Sequence, residues 1–497
     1  MNQQRCITVI KAGLRVCLLV FVLLMLPDKT QAAVTAPPIE TWLAEQGIAA
    51  SEVALIAQPL DGGQALVQLN PQVAFNPAST MKLLTTHAAL SMLGPDYRWH
   101  TDAFLRGELI GGRLKGDLIL RGGGDPKLVI EDLQQFVAMM RSAGLRDLHG
   151  DLVLDDSVFD VGAASIESFD GDPTQPYNVR PFGLLMNFKS TRVVVHSNGH
   201  GSQVRLDPAL DGVRIDNRLR VRQGRCVRSA NVLAVSERKS EQAPSQSDLD
   251  RAAARERSAA LIVSGSYMPS CGELGSFVSL FDHRAFIDGL FRAVWRESGG
   301  SWHGVTRIER GSASGDPWLR WQSPRTLNDV VQDINKFSNN VMARQLLLQL
   351  AHEAGRRPAT QRAAQQVLRT WLTSQQLSLP GLVLDNGSGL SRTARVSVQG
   401  MASLLVHAAG SRDARLLRES MPVVGIDGTM KYRMAGEPVA GRAWIKTGSL
   451  VDVRTMAGYL DAASGRRYAM ALFYNGPRPS AIVPVQEKLL RWLHRNG

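Results

Sequence analysis

The spacing of apolar residues predicts the elements of the first hundred residues. Residues 39–46 are predicted to form a short helix, followed by strands that turn at Asp61-Gly62-Gly63. The next helix carries Lys82 and continues through apolar residues to Leu93. Gly94-Pro95 follows it, and this pair is typical of a helix end.

Further along, the pattern changes twice. Residues 98–285 contain short runs of strand type broken by Gly and Asp, so this region is predicted to be rich in β-strands. Within it, residues 236–260 are charged and almost free of large apolar side chains, which indicates an exposed or disordered loop. From residue 286 the pattern is helical, and it ends in strands and a final helix over 481–495.

Residues 1–33 have the pattern of a secretory signal peptide. Basic residues precede an apolar run from Val16 to Leu26, and small residues follow at Ala32 and Ala33. The run is short for a membrane span and is closed by Pro27, so a cleaved signal is favoured over a retained anchor. We therefore expect an exported protein, located in the periplasm or exposed to the cell wall.

Composition and charge narrow the choice of partners. Apolar residues make up 44% of the chain and charged residues 21%, as in ordinary globular proteins. Four basic residues and one acidic residue would leave with the signal, which lowers the formal charge from +12 to +9. In an exported protein this charge favours anionic wall polymers or membrane surfaces over nucleic acid.

The cysteine count leaves one pairing open. Cys6 and Cys17 would leave with the signal, so Cys226 and Cys271 remain in an oxidising compartment. The sequence does not give their separation in space. A disulfide and two buried free thiols therefore stay equally open.

Three short motifs contain residues of the types used in covalent catalysis. Ser79 and Lys82 lie three positions apart at a helix start and therefore share a face. Ser338-Asn339-Asn340 also stands at a helix start, and Lys446-Thr447-Gly448 lies in a predicted strand. Each motif alone has an ordinary explanation, since serine and asparagine often cap helices. All three together, in the required elements, are far more specific.

The chain resembles the active-site serine penicillin-interacting enzymes, which comprise the penicillin-binding proteins and the serine β-lactamases. Ser79 and Ser338 are 259 residues apart, more than in compact β-lactamases, whereas 108 residues separate Ser338 from Lys446. A long insertion between the first two motifs resembles the class C low-molecular-mass penicillin-binding proteins. These are the D-alanyl-D-alanine carboxypeptidase/endopeptidases of the penicillin-binding protein 4 type.

Other stretches extend this resemblance over nearly the whole mature chain, namely NPASTMKLLTT, GDLILRGGGDPKL, LDNGSGLSR and GIDGTM. The resemblance implies an α/β multidomain fold. A β-lactamase/transpeptidase-like domain, with an antiparallel sheet flanked by helices, would occupy residues 34–97 and 286–497. Inserted β-rich domains would interrupt it over residues 98–285.

The resemblance also implies a function. The chain would be an exported serine-type D-Ala-D-Ala carboxypeptidase and DD-endopeptidase that acts on peptidoglycan peptide stems and crosslinks and is inhibited by β-lactams. Two alternatives are a β-lactamase or esterase of the same superfamily, disfavoured by the long insertion, and a non-catalytic peptidoglycan-binding protein. The second is disfavoured because the chain keeps the full set Ser79, Lys82, Ser338, Asn340 and Lys446.

A serine hydroxyl needs a base within hydrogen-bond reach to act as a nucleophile. Lys82 can be that base if burial and a neighbouring cation, for which Lys446 is the candidate, lower its pKa. His87 lies about two helical turns beyond Ser79, too far along the axis to reach its hydroxyl. Lysine is therefore the predicted base.

The remaining roles follow from the resemblance. Ser338 would relay the proton from Lys82 to the leaving amine, and Asn340 would bind the acyl-side amide and steady Lys82. Lys446 and Thr447 would recognise the terminal carboxylate, and Gly448 would allow a close approach of the substrate backbone. The backbone N–H groups of Ser79 and Ser449 would form the oxyanion hole. Many relatives have threonine where this chain has Ser449.

Two further sites concern a diaminopimelate-type side chain. Arg392 matches a position that binds its free carboxylate in some relatives, although a surface arginine is an equally good explanation. An acidic partner for the amine of that side chain would come from Asp155, Asp156 or Asp160, and the spacing does not say which.

Other motifs are weighed and set aside. Residues 122–125 lack the G-K-[ST] ending of a phosphate loop, and His196 and His200 lie in a strand and turn rather than on a metal-binding helix. No metal or cofactor is therefore expected. The C-terminal helix is expected to pack on the last sheet, with at most peripheral membrane contact.

Overall fold

The computed structural model describes residues 36–162, 169–197, 201–228, 232–238 and 259–497. The predicted signal peptide, most of the predicted loop over 236–260, and His200 lie outside the described residues. The predicted helix over 39–46 and the helix stop at Gly94 are both found. The described helices are Ile39–Glu45 (α1), Lys82–Leu93 (α2), Ile130–Ser142 (α3), His283–Glu297 (α4), Leu327–Lys336 (α5), Asn340–Glu353 (α6), Gln361–Ser374 (α7), Val398–Ala409 (α8), Ala414–Ser420 (α9) and Val483–Asn496 (α10).

The strands of the first half lie mostly in the inserted region, and those of the transpeptidase-like domain come from both ends of the chain. They are Val53–Pro59 (β1), Val67–Leu69 (β2), Ala74–Phe75 (β3), His100–Ile110 (β4), Arg113–Gly122 (β5), Asp147–Leu148 (β6), Leu152–Asp155 (β7), Phe159–Asp160 (β8), Thr191–Ser197 (β9), Ser202–Asp207 (β10), Val213–Val221 (β11), Val232–Arg238 (β12), Ala259–Tyr267 (β13), Leu274–Val278 (β14), Ser301–Trp302 (β15), Thr306–Ile308 (β16), Leu319–Gln322 (β17), Ala359–Thr360 (β18), Val396–Ser397 (β19), Ala443–Leu450 (β20), Val453–Asp461 (β21) and Arg467–Asn475 (β22).

A five-stranded antiparallel sheet forms the centre of the transpeptidase-like domain, in the order β2-β1-β22-β21-β20. Alternate residues of β1 face opposite sides. Ala54 and Ile56 pack against the helices around α2, whereas Val53 and Leu55 pack with α1 and α10. The predicted fold class, an antiparallel sheet flanked by helices within an α/β multidomain chain, is confirmed.

The inserted region has its own hydrophobic core. A mixed sheet in the order β15-β6-β5-β4-β17, with β7 and β16 beside β5, packs against α3 and α4. Two three-stranded sheets, β10-β9-β14 and β11-β13-β12, complete this part. Since β14 pairs only with β9, it is an edge strand of its sheet.

The predicted boundary at residue 286 disagrees with the strand pairing. β17 pairs with β4, and β15 and β16 pair with β6 and β7, so residues 301–322 belong to the mixed sheet. Helix α4 buries Phe286 and Leu290 in the same core. Its amphipathic pattern does not say which core receives its apolar face, so the sequence alone places the boundary too early. The transpeptidase-like domain resumes after Gln322.

Cys226 and Cys271 are joined by a disulfide. β11 and β13 are parallel neighbours, so the residues that follow their ends come together. The Cα atoms of the two cysteines are 4.7 Å apart. The bridge therefore fastens the ends of two adjacent strands in the inserted region.

The C-terminal helix packs on the central sheet. Val485, Leu489 and Leu490 of α10 are fully buried in the core that also contains α1. Across the described part of the chain, none of the helices has both the length and the apolarity needed to cross a membrane.

Candidate active site

Ser79 lies in a single 3₁₀ turn, Ala78–Met81, that leads directly into α2. The preceding residue, Ala78, has a left-handed φ of 44°, which is costly for a non-glycine residue. Asn76 holds this turn: its Oδ1 accepts a hydrogen bond from the Ala78 amide at 2.9 Å, and its Nδ2 donates to the Ser391 carbonyl at 2.9 Å. The position of Ser79 is therefore fixed by contacts from outside its own helix.

Lys82, the first residue of α2, is completely buried, and its Nζ atom lies close to three oxygens. Its Nζ is 2.9 Å from Ser79 Oγ, 2.6 Å from Asn340 Oδ1 and 2.6 Å from the Ser388 carbonyl oxygen. The predicted contact between the first and second motifs is thus formed by Asn340.

Burial lowers the pKa of both lysines of the site, and neighbouring cations lower that of Lys82 further. The pKa of Lys82 lies well below its usual value, first because of burial and then because of the charges of Lys446 and Arg344. Burial lowers the pKa of Lys446 to about 7. The nearby Arg344 is itself buried, which lowers its pKa to about 10. The site therefore favours the neutral form of Lys82 beside Ser79.

Ser338 lies between α5 and α6, and Asn340 is the first residue of α6. Asn339, not Ser338, caps α6, since its Oδ1 accepts a hydrogen bond from the Met342 amide at 3.1 Å. Ser338 instead has a left-handed φ of 59° and accepts a hydrogen bond from Lys446 Nζ at 2.9 Å. The bonds of the described residues link Ser338 to Lys446 and not directly to Lys82.

The K-T-G motif lies on β20, an edge strand of the central sheet. A Cβ atom at Gly448 would lie 2.2 Å from Thr455 Oγ1 and 2.8 Å from the Ser79 backbone nitrogen. Glycine therefore allows the strand backbone to approach the Ser79 amide. Beside it, Thr447 Oγ1 lies 2.8 Å from Thr429 Oγ1, and Ser449 Oγ accepts a hydrogen bond from Arg454.

The loop 386–390 contributes contacts to the site that the sequence analysis missed. The Ser388 carbonyl accepts the Lys82 hydrogen bond. Ser388 is held in turn by Asn386 Oδ1, which accepts hydrogen bonds from the Ser388 backbone amide at 3.0 Å and from the Ser388 hydroxyl at 2.7 Å. Gly389, with φ of 77°, packs so tightly that a Cβ atom would lie 1.8 Å from the Ala78 carbonyl oxygen. The stretch LDNGSGLSR was visible in the sequence, but a backbone acceptor has no residue signature.

Arg392 lines a separate cleft of about 310 Å³ together with Arg180 and Arg344. Its guanidinium lies 4.1 Å from the centre of the Phe169 ring and 3.6 Å from a carboxylate oxygen of Asp452. Half of its side chain is exposed. Among the described residues, three arginines thus line the cleft, together with one acidic residue, Asp385.

The three predicted acidic residues do not line this cleft. Asp155 is buried and accepts hydrogen bonds from the amides of Ser157, Gly311 and Ala313. Asp156 and Asp160 both pair with Arg310. These contacts hold the loop after β16, and the acidic partner predicted from the sequence stays a prediction. Asp170, which follows Phe169, accepts a hydrogen bond from Tyr177 Oη at 2.6 Å.

Three residues that the sequence analysis set aside, His87, His196 and Gly123, make ordinary packing or hydrogen-bond contacts. His87 Nε2 lies 3.1 Å from His407 Nδ1, and His196 Nε2 lies 3.0 Å from Gln203 Oε1. Gly123 packs against the His100 carbonyl. In the described ranges, no group of three or more His, Cys, Asp or Glu side chains is arranged to hold a metal ion.

The central sheet and the serine–lysine pair beneath its edge strand define the class of active-site serine penicillin-interacting enzymes. The model of the D-Ala-D-Ala carboxypeptidase 3 (S13) family matches residues 36–496, and the chain belongs to this family. The chain is therefore a serine peptidase, and the resemblance to this family that was seen in the sequence is confirmed.

Known members and structures agree with this assignment. D-alanyl-D-alanine carboxypeptidase DacB of Haemophilus influenzae is 26% identical over 431 residues, 86% of each chain. A D-alanyl-D-alanine carboxypeptidase of an Actinomadura strain is 27% identical over 453 residues, 86% of this chain and 77% of that protein. The crystal structure of penicillin binding protein 4 (dacB) from Haemophilus influenzae superposes with a TM-score of 0.74 at 22% identity. It covers 92% of this chain and 100% of its own, and it supports the fold.

We expect Gly389→Ala to lower the free energy of unfolding for two reasons. Alanine is strained at a positive φ, and its Cβ atom also has no room at this position. The new Cβ would overlap the Ala78 carbonyl oxygen, whereas Gly436, with φ of 80°, has no atom within 4 Å of such a Cβ. Urea unfolding should show a loss of about 3 kcal/mol or more for Gly389→Ala, against about 1–2 kcal/mol for Gly436→Ala. Equal losses would show that the contact with the Ser79 turn does not constrain this loop.

Proposed function

We propose that the chain is an exported serine-type D-Ala-D-Ala carboxypeptidase and DD-endopeptidase that acts on peptidoglycan through an acyl-enzyme on Ser79. The observation that carries the proposal is the 2.9 Å hydrogen bond between Ser79 Oγ and Lys82 Nζ, made by a buried lysine whose pKa is strongly lowered. A neutral lysine at this distance can accept the hydroxyl proton as the oxygen attacks a carbonyl carbon.

Acylation proceeds by attack of Ser79 Oγ on the carbonyl carbon of the penultimate D-alanine, while the serine proton passes to Lys82. The C–N bond then breaks, and the leaving nitrogen takes the hydroxyl proton of Ser338. This group is well oriented for the step, because Lys446 donates to its oxygen and leaves its own proton free to point elsewhere. Proton balance requires that Lys82 then restores the Ser338 hydroxyl.

The tetrahedral intermediate is stabilised by the backbone N–H groups of Ser79 and Ser449. The tight approach of Gly448 to the Ser79 amide supports this pairing, because it brings the two backbone segments side by side. Lys446 and Thr447 bind the terminal carboxylate of the substrate, and Asn340 binds the acyl-side amide while its Oδ1 holds Lys82.

Hydrolysis of the acyl-enzyme reverses these transfers. Water attacks the ester and gives its proton to Lys82, and the Ser79 oxygen leaves with a proton from Lys82. The two proposed reactions differ only in the leaving amine, which is D-alanine in a pentapeptide stem and the diaminopimelate amine in a crosslink. A β-lactam presents a similar amide to Ser79, and the Haemophilus influenzae neighbour is named as a penicillin binding protein.

Export and the choice of a wall polymer rest on the sequence. Residues 1–33 have the signal-peptide pattern, and the mature chain would carry a formal charge of +9. This charge suits a protein that works on the anionic cell wall.

Ser79→Ala should abolish covalent labelling by a fluorescent penicillin, since no other group would supply the attacking oxygen. We expect labelling to fall by about a thousandfold or more, measured by gel fluorescence after a fixed exposure. Ser142→Ala, which changes an exposed serine at the end of α3, is the matched control and should label like the wild type. Labelling of Ser79→Ala at the wild-type rate would show that another residue is the nucleophile.

We also propose that Arg392 binds the free carboxylate of a diaminopimelate side chain in the cationic cleft. Arg392→Ala should lower kcat/KM about tenfold for a diaminopimelate stem, as expected for a lost charge-assisted hydrogen bond. A stem with lysine at that position lacks the carboxylate and should be affected much less. Arg369→Ala, an exposed arginine on α7, serves as the control. Equal losses on both stems would contradict this role.

A further inference from the structure

A second cleft, of about 500 Å³, opens beside the Ser338–Asn340 motif. We call it the aromatic cleft. Its described lining consists of Pro176, Tyr177, Asn187, Phe188, Ser190, Phe277, Phe337, Ser338, Asn339, Asn340 and Val341. Its volume is within the range of about 300–1,000 Å³ that is usual for ligand pockets.

Three of the four rings that line this cleft are exposed, whereas Phe188 is partly buried. Phe337 is 70% exposed, Phe277 is 63% exposed and Tyr177 is 41% exposed. Isolated exposed apolar residues are common, but several large ones around one concave surface mark a binding site. Phe337 comes from the transpeptidase-like domain and Phe277 from edge strand β14 of the inserted region, so two separately folded parts supply the rings.

The cleft adjoins the serine–lysine site. Two of its lining residues are bonded to the buried lysines: Asn340 Oδ1 to Lys82 Nζ at 2.6 Å and Ser338 Oγ to Lys446 Nζ at 2.9 Å. A substrate bound at Ser79 can therefore extend along these two residues into the aromatic cleft.

The absence of charged residues from the described lining of the aromatic cleft favours an uncharged ligand. None of the described residues that line the aromatic cleft is charged, in contrast to the arginine-rich cleft around Arg392. The Oδ1 atom of Asn339 caps α6, and its Nδ2 group has no hydrogen-bond partner among the described residues. Aromatic faces with a free amide suit a ring that has an apolar C–H face and polar substituents at its edge.

On the basis of the proposed function, we propose that the aromatic cleft binds the N-acetylated sugars of the glycan strand that carries the stem peptide. Stem peptides carry carboxylates, which the arginine-rich cleft attracts, whereas the amino sugars are neutral. The sugar ring stacks on Phe277 and Phe337, and its acetamido or hydroxyl oxygen accepts a hydrogen bond from Asn339 Nδ2. The substrate is thereby held at both ends of its stem.

The test compares the affinity of the Ser79→Ala protein for two probes by isothermal titration calorimetry. One probe is N-acetylglucosaminyl-N-acetylmuramyl pentapeptide, and the other is the same pentapeptide without sugar. We expect the sugar-bearing probe to bind about tenfold more tightly, as for other aromatic stacking sites. Adding Phe277→Ala should bring the ratio to about one, and Phe277→Tyr should preserve it. Ile110→Ala, an exposed apolar residue at the tip of the β4–β5 hairpin, is the control.

A second variant, Phe337→Ala, repeats the test with a ring from the other domain and guards against misfolding at β14. Equal affinities for the two probes in the Ser79→Ala protein would overturn the proposal. A loss in Phe277→Ala that is the same for both probes would also overturn it, since the cleft would then hold peptide. The measurement needs no turnover, so absence of D-alanine release from the wild-type chain would refute the proposed function without changing this result.

Discussion

Two lysine side chains, Lys82 and Lys446, are buried at one edge of the central sheet with no acidic partner among the described residues, and the rest of the site is arranged around this unfavourable placement. Burial disfavours the charged form of each, and the positive charge of Lys446 further disfavours a proton on Lys82. A lysine that has lost its proton can accept one from a serine. Burial of the two lysines therefore both lowers the stability of the fold and makes Lys82 able to act as a base.

The surrounding structure holds this arrangement through tight backbone contacts. Ala78 and Ser338 both have left-handed backbone conformations, and each stands directly beside or at one of the motifs. Gly389 and Gly448 close on the Ser79 turn from two sides, where no side chain fits. Such strain persists only where neighbouring contacts over-determine it. The central sheet and the helices around α2 supply those contacts.

The three motifs were recognisable in the sequence because their chemistry resides in side chains at short, fixed spacings. The central sheet was also predictable, since its strands are apolar runs bounded by turns. The Ser388 carbonyl was not predictable, because every residue has a carbonyl group and only the fold selects one. For a related reason, the sequence places the boundary at residue 286 too early and does not distinguish between Asp155, Asp156 and Asp160. A helical pattern or an acidic turn does not identify the partner it packs against.

The measurement that tests this account most directly is the titration of Lys82 by NMR of ¹³C-labelled lysine Cε, assigned with Lys82→Arg. The pKa of Lys82 should lie well below the ordinary lysine value and should rise in Lys446→Met, because that variant removes the neighbouring positive charge. A Lys82 that titrates near the ordinary lysine value of about 10.4, unchanged in Lys446→Met, would contradict its role as the base.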